Sequence, residues 1–370
     1  MLCSCRAGRG SRTAADDAEE PTRMSPSAPE GPARRSRRNF AGARPVMDDV
    51  ARHAGVSKQT VSRVLNDHPS VRPETREAVR EAMRTLGYRP SRSARSLASG
   101  RTRMLGVISF DAARYGPAAI LTAIGTAAQK AGYLVSSIAL DTADRDTVAE
   151  AVDRLSAEGA DGVIAIAPQR WVGRALAETG TATPLVVLDD APAVAGDSRS
   201  GARKATGHLL SLGHRTVAHV AGPAGWTSAE LRLAAWRAAL EAAGAEVTEP
   251  LAGDWSADAG YELGRRLARR AELTAVFVSN DQMALGVLHA LHEAGRAVPG
   301  DVSVVGYDDV PEAAHFLPPL TTVRTDFAEI GTRALRLLLD RIDGAGPPPS
   351  DVLVPAELIV RDSSGPPPVR

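Results

Sequence analysis

The chain has 370 residues, 44% of them hydrophobic and only 4% aromatic, with a formal net charge of zero. That length allows two or three domains built on aliphatic cores. The composition excludes a bilayer-spanning helix, which needs ~18–20 consecutive apolar residues, and a disulfide scaffold, since the only cysteines are Cys3 and Cys5. The charge is unevenly placed: residues 1–45 carry a net +4, residues 46–103 a net +6 and residues 104–370 a net −10. A basic front end on an acidic body points to a polyanionic partner for the N-terminal region. With no apolar signal core at the N-terminus, we expect a cytoplasmic protein without a membrane partner.

Residues 1–45 are rich in Arg, Ala, Pro, Ser and Gly without periodicity, and read as a disordered basic tail. Residues 46–92 read as three short helices. "VMDDVARHAG" is the first, with Asp48 and Asp49 suited to a helix N-terminus and Gly55 as its stop. "AGVSKQTVSRVLN" is a tight turn and a second helix, with Ser57 as N-cap. Val56, Val61 and Leu65 are its inward positions, and Lys58, Gln59, Thr60, Ser62, Arg63 and Asn66 its outward ones. "RPETREAVREAMRTLGY" is the third, opened by Pro73 and closed by Gly87.

Two short helices joined through "AGVS" match a helix-turn-helix, in which Gly55 permits the sharp bend and Ala54 the close packing. Its second helix would lie in the DNA major groove with its first residues on base edges. Lys58 then suits guanine O6 and N7, and Gln59 suits adenine N6 and N7. Thr60, Ser62 and Arg63 would mainly hold phosphates.

The small, polar, basic stretch "SRSARSLASGRTR" closes this region, and residues 93–103 read as a linker or a helix too weak to stand alone. From residue 104 the texture changes. The runs "LGVISF", "DGVIAIA", "PLVVLDD", "TVAHVAG", "TAVFVSN" and "VSVVGYDD" alternate with Ala/Leu/Arg-rich helical segments as far as about residue 360. Such alternation implies parallel sheets covered by helices, long enough here for two doubly wound subdomains. Ligands bind such sheets beyond the carboxyl ends of the strands, which directs attention to Phe110, Asp189, Asn280 and Asp308. Residues 361–370 read as a second disordered tail.

The stretch from "MDDVARHAGVSKQTVSRVLNDHPSVRPETREAVREAMRTLGY" to "RPSRSARSLASG" resembles the DNA-binding headpiece of the lactose-repressor (LacI/GalR) family throughout. The resemblance continues in order through "AGP", "LRLAAW", "GDWSA", "NDQMALG", "SVVGYDD" and "PPLTTVRTDF", and covers residues 45–360. It implies an all-α helix-turn-helix headpiece on an α/β body similar to periplasmic sugar-binding proteins, two lobes closing on a ligand. It makes "SARSLAS" a hinge helix ordered on operator DNA, with Leu97 wedged into the minor groove and Ala94 packed on its counterpart in a second subunit. Tyr88 and Arg92 become backbone or groove contacts.

The same resemblance implies a sugar site. Arg232 in "SAELRLAAW" stands where the family clamps a sugar, and a guanidinium fork can hold two adjacent hydroxyls. Asp308 and Asn280 match the family's ligand carboxylate and amide, Asp189 a further contact, and Trp255 the aromatic platform, while Phe327 fits the cleft wall. The family's lactose-responsive prototype has glutamine where Thr325 stands, so one polar reach is shortened here. "SFDAARYGPAAI" also departs, placing Phe110 and Tyr115 near the sugar's substituent. The prototype's C-terminal leucine-heptad helix is replaced by "IVRDSSGPPPVR".

We therefore expect a homodimeric repressor of carbohydrate-utilisation genes that binds a pseudo-palindromic operator and is released by a small, galactoside-like sugar, with no cofactor or metal. A corepressor-dependent or activating member of the same family is the alternative. A transport-type sugar-binding protein would share the body but lack the headpiece. An enzyme is disfavoured: the eight histidines form no H-E-x-x-H motif, "AGPAGWTSAE" has no phosphate-loop lysine, and "GVISFD" has no G-x-G-x-x-G.

Overall fold

The computed structural model describes residues 45–89, 100–140, 145–167, 169–178, 180–188, 194–345 and 353–369. These fall into two compact units that divide between Arg89 and Pro90. Arg92, Ala94, Leu97 and Asp189, all expected at binding sites, lie outside the described residues, as does most of the N-terminal tail.

The first unit is a three-helix headpiece: α1 (Met47–His53), α2 (Lys58–Leu65) and α3 (Pro73–Leu86). Each helix end follows from a local residue choice. Asp49 accepts a hydrogen bond from the Val46 backbone N–H at 3.0 Å, and Ser57 Oγ accepts one from the Thr60 N–H at 3.1 Å. Gly87, at φ 62°, ends α3 in the left-handed region. The helices bury Val50, Val61 and Val79 completely. Val64, not Leu65, is the second buried position of α2; Leu65 and Val56 pack at the edge of this core.

The second unit holds two open sheets. The first has the order β2-β1-β3-β4, all parallel. It comprises β1 (Met104–Phe110), β2 (Leu134–Leu140), β3 (Gly162–Ile166) and β4 (Leu185–Leu188), linked through α4 (Tyr115–Lys130), α5 (Arg145–Ala157) and α6 (Arg170–Glu178). Side chains alternate along β1: Leu105 and Val107 face one core, Ile108 and Phe110 the other.

The chain then enters the second lobe. Its strands are β5 (Ala218–Ala221), β6 (Leu251–Ala252), β7 (Ala275–Val278), β8 (Ser303–Asp308) and β9 (Thr321–Thr325), interleaved with α7 (Ser198–Ser211), α8 (Thr227–Ala242), α9 (Ala257–Ala268), α10 (Asp281–Glu293) and a 3-10 turn over Pro311–His315. Next, α11 (Phe327–Ile342) returns to the first lobe, where Ile330, Ala334 and Leu338 bury against Leu105 and Ile124. Last, β10 (Ala356–Ile359) rejoins the second sheet, whose order is β10-β9-β8-β7-β5-β6. All of its pairs are parallel except β10 with β9.

The chain thus passes between lobes three times: between Leu188 and Ser198, at Asp326, and between Ile342 and Ala356. The first and third passages are bonded together, Asp197 N–H to Val354 O at 2.9 Å and Val354 N–H to Ala195 O at 2.8 Å. The second touches the first: a Cβ placed on Gly196 would lie 3.0 Å from Thr325 Cγ2.

One expectation is corrected here. Residues 361–366 are not a disordered tail. Ser363 is fully buried, donating to Val304 O at 2.6 Å and accepting from the Thr321 N–H at 2.7 Å. Arg361 pairs with Asp309 at 2.7 Å. The segment is held by hydrogen bonds to strand ends rather than by apolar burial, so its Ser/Gly/Pro composition gives no sign of it.

Candidate functional site

On the headpiece, α2 turns Val61 and Val64 inward and exposes Lys58, Gln59, Arg63 and Asn66, with Thr60 and Ser62 half-buried. Ser57 Oγ and Thr60 Oγ1 lie 2.9 Å apart and satisfy one another at the helix start. The Lys58 ammonium meets the Asp48 carboxylate of α1 at 2.6 Å. After the left-handed turn at Gly87, the Tyr88 N–H bonds back to Met83 O at 2.9 Å. Its ring packs into the headpiece core and is 9% exposed.

In the second unit, a cavity of about 420 Å³ opens where the carboxyl ends of the two sheets face each other. That volume suits a small ligand of one or two sugar rings. Tyr115, Arg232, Trp255, Asn280, Asp308, Thr325 and Phe327 all line it. Phe110 does not, contrary to expectation. Its position on β1 points it away with Ile108, into the core beneath α5 and α6, where it is 1% exposed. A strand-end rule locates the right end of the sheet but not the right face.

The polar floor is built around Arg232. Its Nη2 lies 3.4 Å from Asp308 Oδ1, Nη1 donates to Ser279 O, and the guanidinium stacks 3.5 Å from the centroid of Tyr307. Asp308 sits at φ 103°, an uncommon conformation for a residue with a side chain. Burial raises its carboxyl to about 6, with Arg232 pulling the other way. Next to it, Asp281 at the start of α10 is raised to about 8, first by burial and then by the Asp308 charge. It accepts from Thr322 Oγ1 at 2.6 Å and from the Val310 N–H at 2.9 Å.

The walls are aromatic. Trp226 and Trp255 meet edge to face at 5.5 Å, and Tyr115 and Phe327 do the same at 5.7 Å. Trp255 is seated on Gly222, where any Cβ would collide with its ring. Asn280 caps α10 through its Oδ1 and donates to Trp255 O at 3.0 Å and Gln282 Oε1 at 2.9 Å. Its amide therefore positions Trp255 as much as it faces the cavity.

Three buried polar atoms on this cavity have no protein partner: Thr227 Oγ1, Arg232 Nε and Trp255 Nε1. Buried polar groups of this kind are ordinarily satisfied, and these three are closed to the cavity as it stands, so only a shift of their side chains would bring them to a ligand. Sequence reasoning missed Arg114, Trp226 and Thr227, which also line the cavity. The signal was available for the last two, because "AGPAGWT" lies beyond the carboxyl end of β5.

Residues 46–91 match the model for bacterial regulatory proteins of the lacI family, and residues 206–364 match the periplasmic binding protein-like domain. The chain is 35% identical over 323 residues to the lactose operon repressor of Escherichia coli strain K12, covering 85% of this chain and 89% of that one. It superposes on the lac repressor dimer bound to operator and the anti-inducer ONPF with a TM-score of 0.79 at 34% identity, covering 87% of this chain and all of that one. It also resembles the transcriptional regulator CelR in its cellobiose complex, with a TM-score of 0.63 at 34% identity, covering 86% of this chain and all of that one. These relatives are regulators of transcription and not enzymes. A helix-turn-helix headpiece, a two-lobed body with a central cavity and these similarities together place the chain in the lacI family of bacterial regulatory proteins, as a DNA-binding transcriptional repressor with a periplasmic binding protein-like domain.

Proposed function

We propose that this protein represses carbohydrate-utilisation genes in the cytoplasm by binding a pseudo-palindromic operator as a homodimer, and that a small glycoside, galactoside-like in its core, releases it. Lys58 and Gln59 read base edges. Thr60, Ser62 and Arg63 hold phosphates, and Leu97 wedges the minor groove between paired hinge segments. No cofactor takes part. The observation that carries the effector assignment is the cavity's composition: a guanidinium–carboxylate floor and two aromatic pairs. Sugars present paired hydroxyls to the first and an apolar ring face to the second.

Coupling follows from linkage. If the sugar favours one arrangement of the lobes and DNA another, each weakens the other by the same factor. Mobility-shift titration on DNA upstream of the coding sequence, with and without a panel of glycosides, tests this. Release by one sugar supports the reading. DNA binding that requires the sugar reverses the sign of the coupling. A panel in which purines bind and no sugar does would sink the effector assignment.

A second reading concerns the sugar's identity. The likeness to the CelR–cellobiose complex supports a β-glucoside such as cellobiose as the alternative to a galactoside. The same panel separates the two.

A further inference from the structure

The two neighbouring aspartates that open α1 behave differently. Asp49 is spent on its own helix: it accepts from the Val46 N–H at 3.0 Å and pairs with Arg52 at 3.2 Å. Asp48 instead reaches across to α2 and meets the Lys58 ammonium at 2.6 Å. Both partners face solvent, with Lys58 61% and Asp48 48% exposed. An exposed ion pair contributes little to stability, and α1 is already fixed on α2 through Val50, Ala51, Val61 and Val64.

Lys58 is the first residue of α2, the position from which a helix-turn-helix presents side chains to base edges. Asp48 therefore accompanies a base reader on the same surface. A G·C pair shows the major groove two acceptors, guanine N7 and O6, beside one donor, the cytosine N4 amine. A contacting ammonium and carboxylate are the complement of that pattern: the ammonium donates to guanine, the carboxylate accepts from cytosine N4. An A·T pair offers adenine N7 and N6–H and thymine O4 in the same places, so the ammonium would meet a donor at N6 and the carboxylate an acceptor at O4. The pair is also neutral, so it brings a carboxylate to DNA without adding net negative charge next to the phosphates.

We propose that Asp48 is a specificity-determining residue, and that Asp48 and Lys58 together read one G·C base pair in each operator half-site. This rests on the reading of α2 as the base-contacting helix. The competing account is that Asp48 merely offsets a cation at the N-terminus of α2, whose first turn carries no acidic residue of its own.

The experiment is selection of bound duplexes from a randomised pool by the full-length chain at fixed salt. It compares wild type with Asp48→Asn, Asp48→Glu and Lys58→Gln, with circular dichroism melting to verify that each variant is folded. The expected result is that wild type selects a half-site with one strongly preferred G·C pair. Asp48→Asn lowers the preference at that pair about tenfold and leaves the other positions unchanged. Lys58→Gln relaxes the same pair, and Asp48→Glu keeps it. In the selected site, N4-methylcytosine at that pair weakens wild type and leaves Asp48→Asn unaffected.

Retention of the full G·C preference by Asp48→Asn, while Lys58→Gln loses it, overturns the proposal and makes Asp48 a counter-ion only. A uniform loss across all sequences by Asp48→Asn, with a lowered melting temperature, overturns it in favour of a structural role. If Lys58→Gln changes no preference either, α2 is not the base-reading element, and the proposal falls with that broader reading.

Discussion

Replacing Arg232 with Leu tests the floor of the cavity on two independent axes. The guanidinium is the only cation in contact with the Asp308 carboxylate among the described residues, and both side chains are about nine-tenths buried. Removing one member of such a pair costs ~3–5 kcal/mol when the other stays charged. Asp308 can escape that cost by taking up a proton. Its carboxyl is already raised to about 6, so it binds more protons folded than unfolded between the ordinary carboxylate range and that value. Its contribution therefore favours the fold in acid and declines as pH rises through 6. Without Arg232 the carboxyl rises further. At pH 8 the variant should carry the full penalty. At pH 5, where Asp308 is neutral in both proteins, only the stacking on Tyr307 and the bond to Ser279 O are lost, about 1–2 kcal/mol. Urea denaturation followed by tryptophan fluorescence at the two pH values should show a destabilisation larger by about 2 kcal/mol at pH 8. The glycoside that releases DNA should bind at least ~100-fold more weakly by calorimetry, because two charge-assisted hydrogen bonds of ~1.5–3 kcal/mol each are lost. An equal destabilisation at both pH values would mean that Asp308 does not depend on Arg232 for its charge. An unchanged sugar affinity would remove Arg232 from the binding site.

Three further outcomes are expected. The Asp281 carboxyl, raised to about 8 chiefly by burial, makes wild-type stability fall as pH rises from the ordinary carboxylate range to 8; Asp281→Asn should flatten that slope in thermal melts across this range. His219 is stacked between Trp236 and Phe277, with ring centroids 5.1 and 4.8 Å away, and burial depresses its pKa to about 4. Stability should therefore be lost as pH falls from the ordinary histidine range toward 4, and His219→Phe should blunt this acid lability in the same melts. Phe110→Ala should cost ~3–5 kcal/mol of stability in urea titrations while leaving glycoside affinity within threefold, because the ring fills a core and not the cavity.

All six β-branched runs picked out by eye are strands, because a strand buried on both faces carries its own signature of consecutive Val, Ile and Leu. The strands that escaped notice lack that signature. β2 is a sheet edge with exposed positions at Leu134, Ser137 and Ala139 in its "LVSSIAL"; β10 is an antiparallel edge strand reached after a long passage through the other lobe. In the headpiece, Ser57, Gly55 and Gly87 announced the helix boundaries because caps and left-handed turns are local chemistry. Phe110 was misplaced because which face a side chain takes depends on the packing around it, which strand-end position does not encode. Arg232, Trp255, Asn280 and Asp308 come from segments up to 76 residues apart. The strand-end rule pointed to Asn280 and Asp308, while Arg232 and Trp255 were legible only through resemblance to a family, since no local rule relates them to the other two. The Asp48–Lys58 contact was invisible for a similar reason: both aspartates of α1 read equally well as helix-opening charges.

The three passages between the lobes give the cavity an unusual mechanical position. Gly196 and Thr325 belong both to its wall and to the place where those passages touch, and Val354 ties the third passage to the first. Three strings knotted at one point cannot be pulled separately. A bound molecule that displaced Thr325 or Gly196 would load all three at once. A methyl added at Gly196 would lie 3.0 Å from Thr325 Cγ2, closer than an ordinary van der Waals contact, and would press on the same point from within the protein.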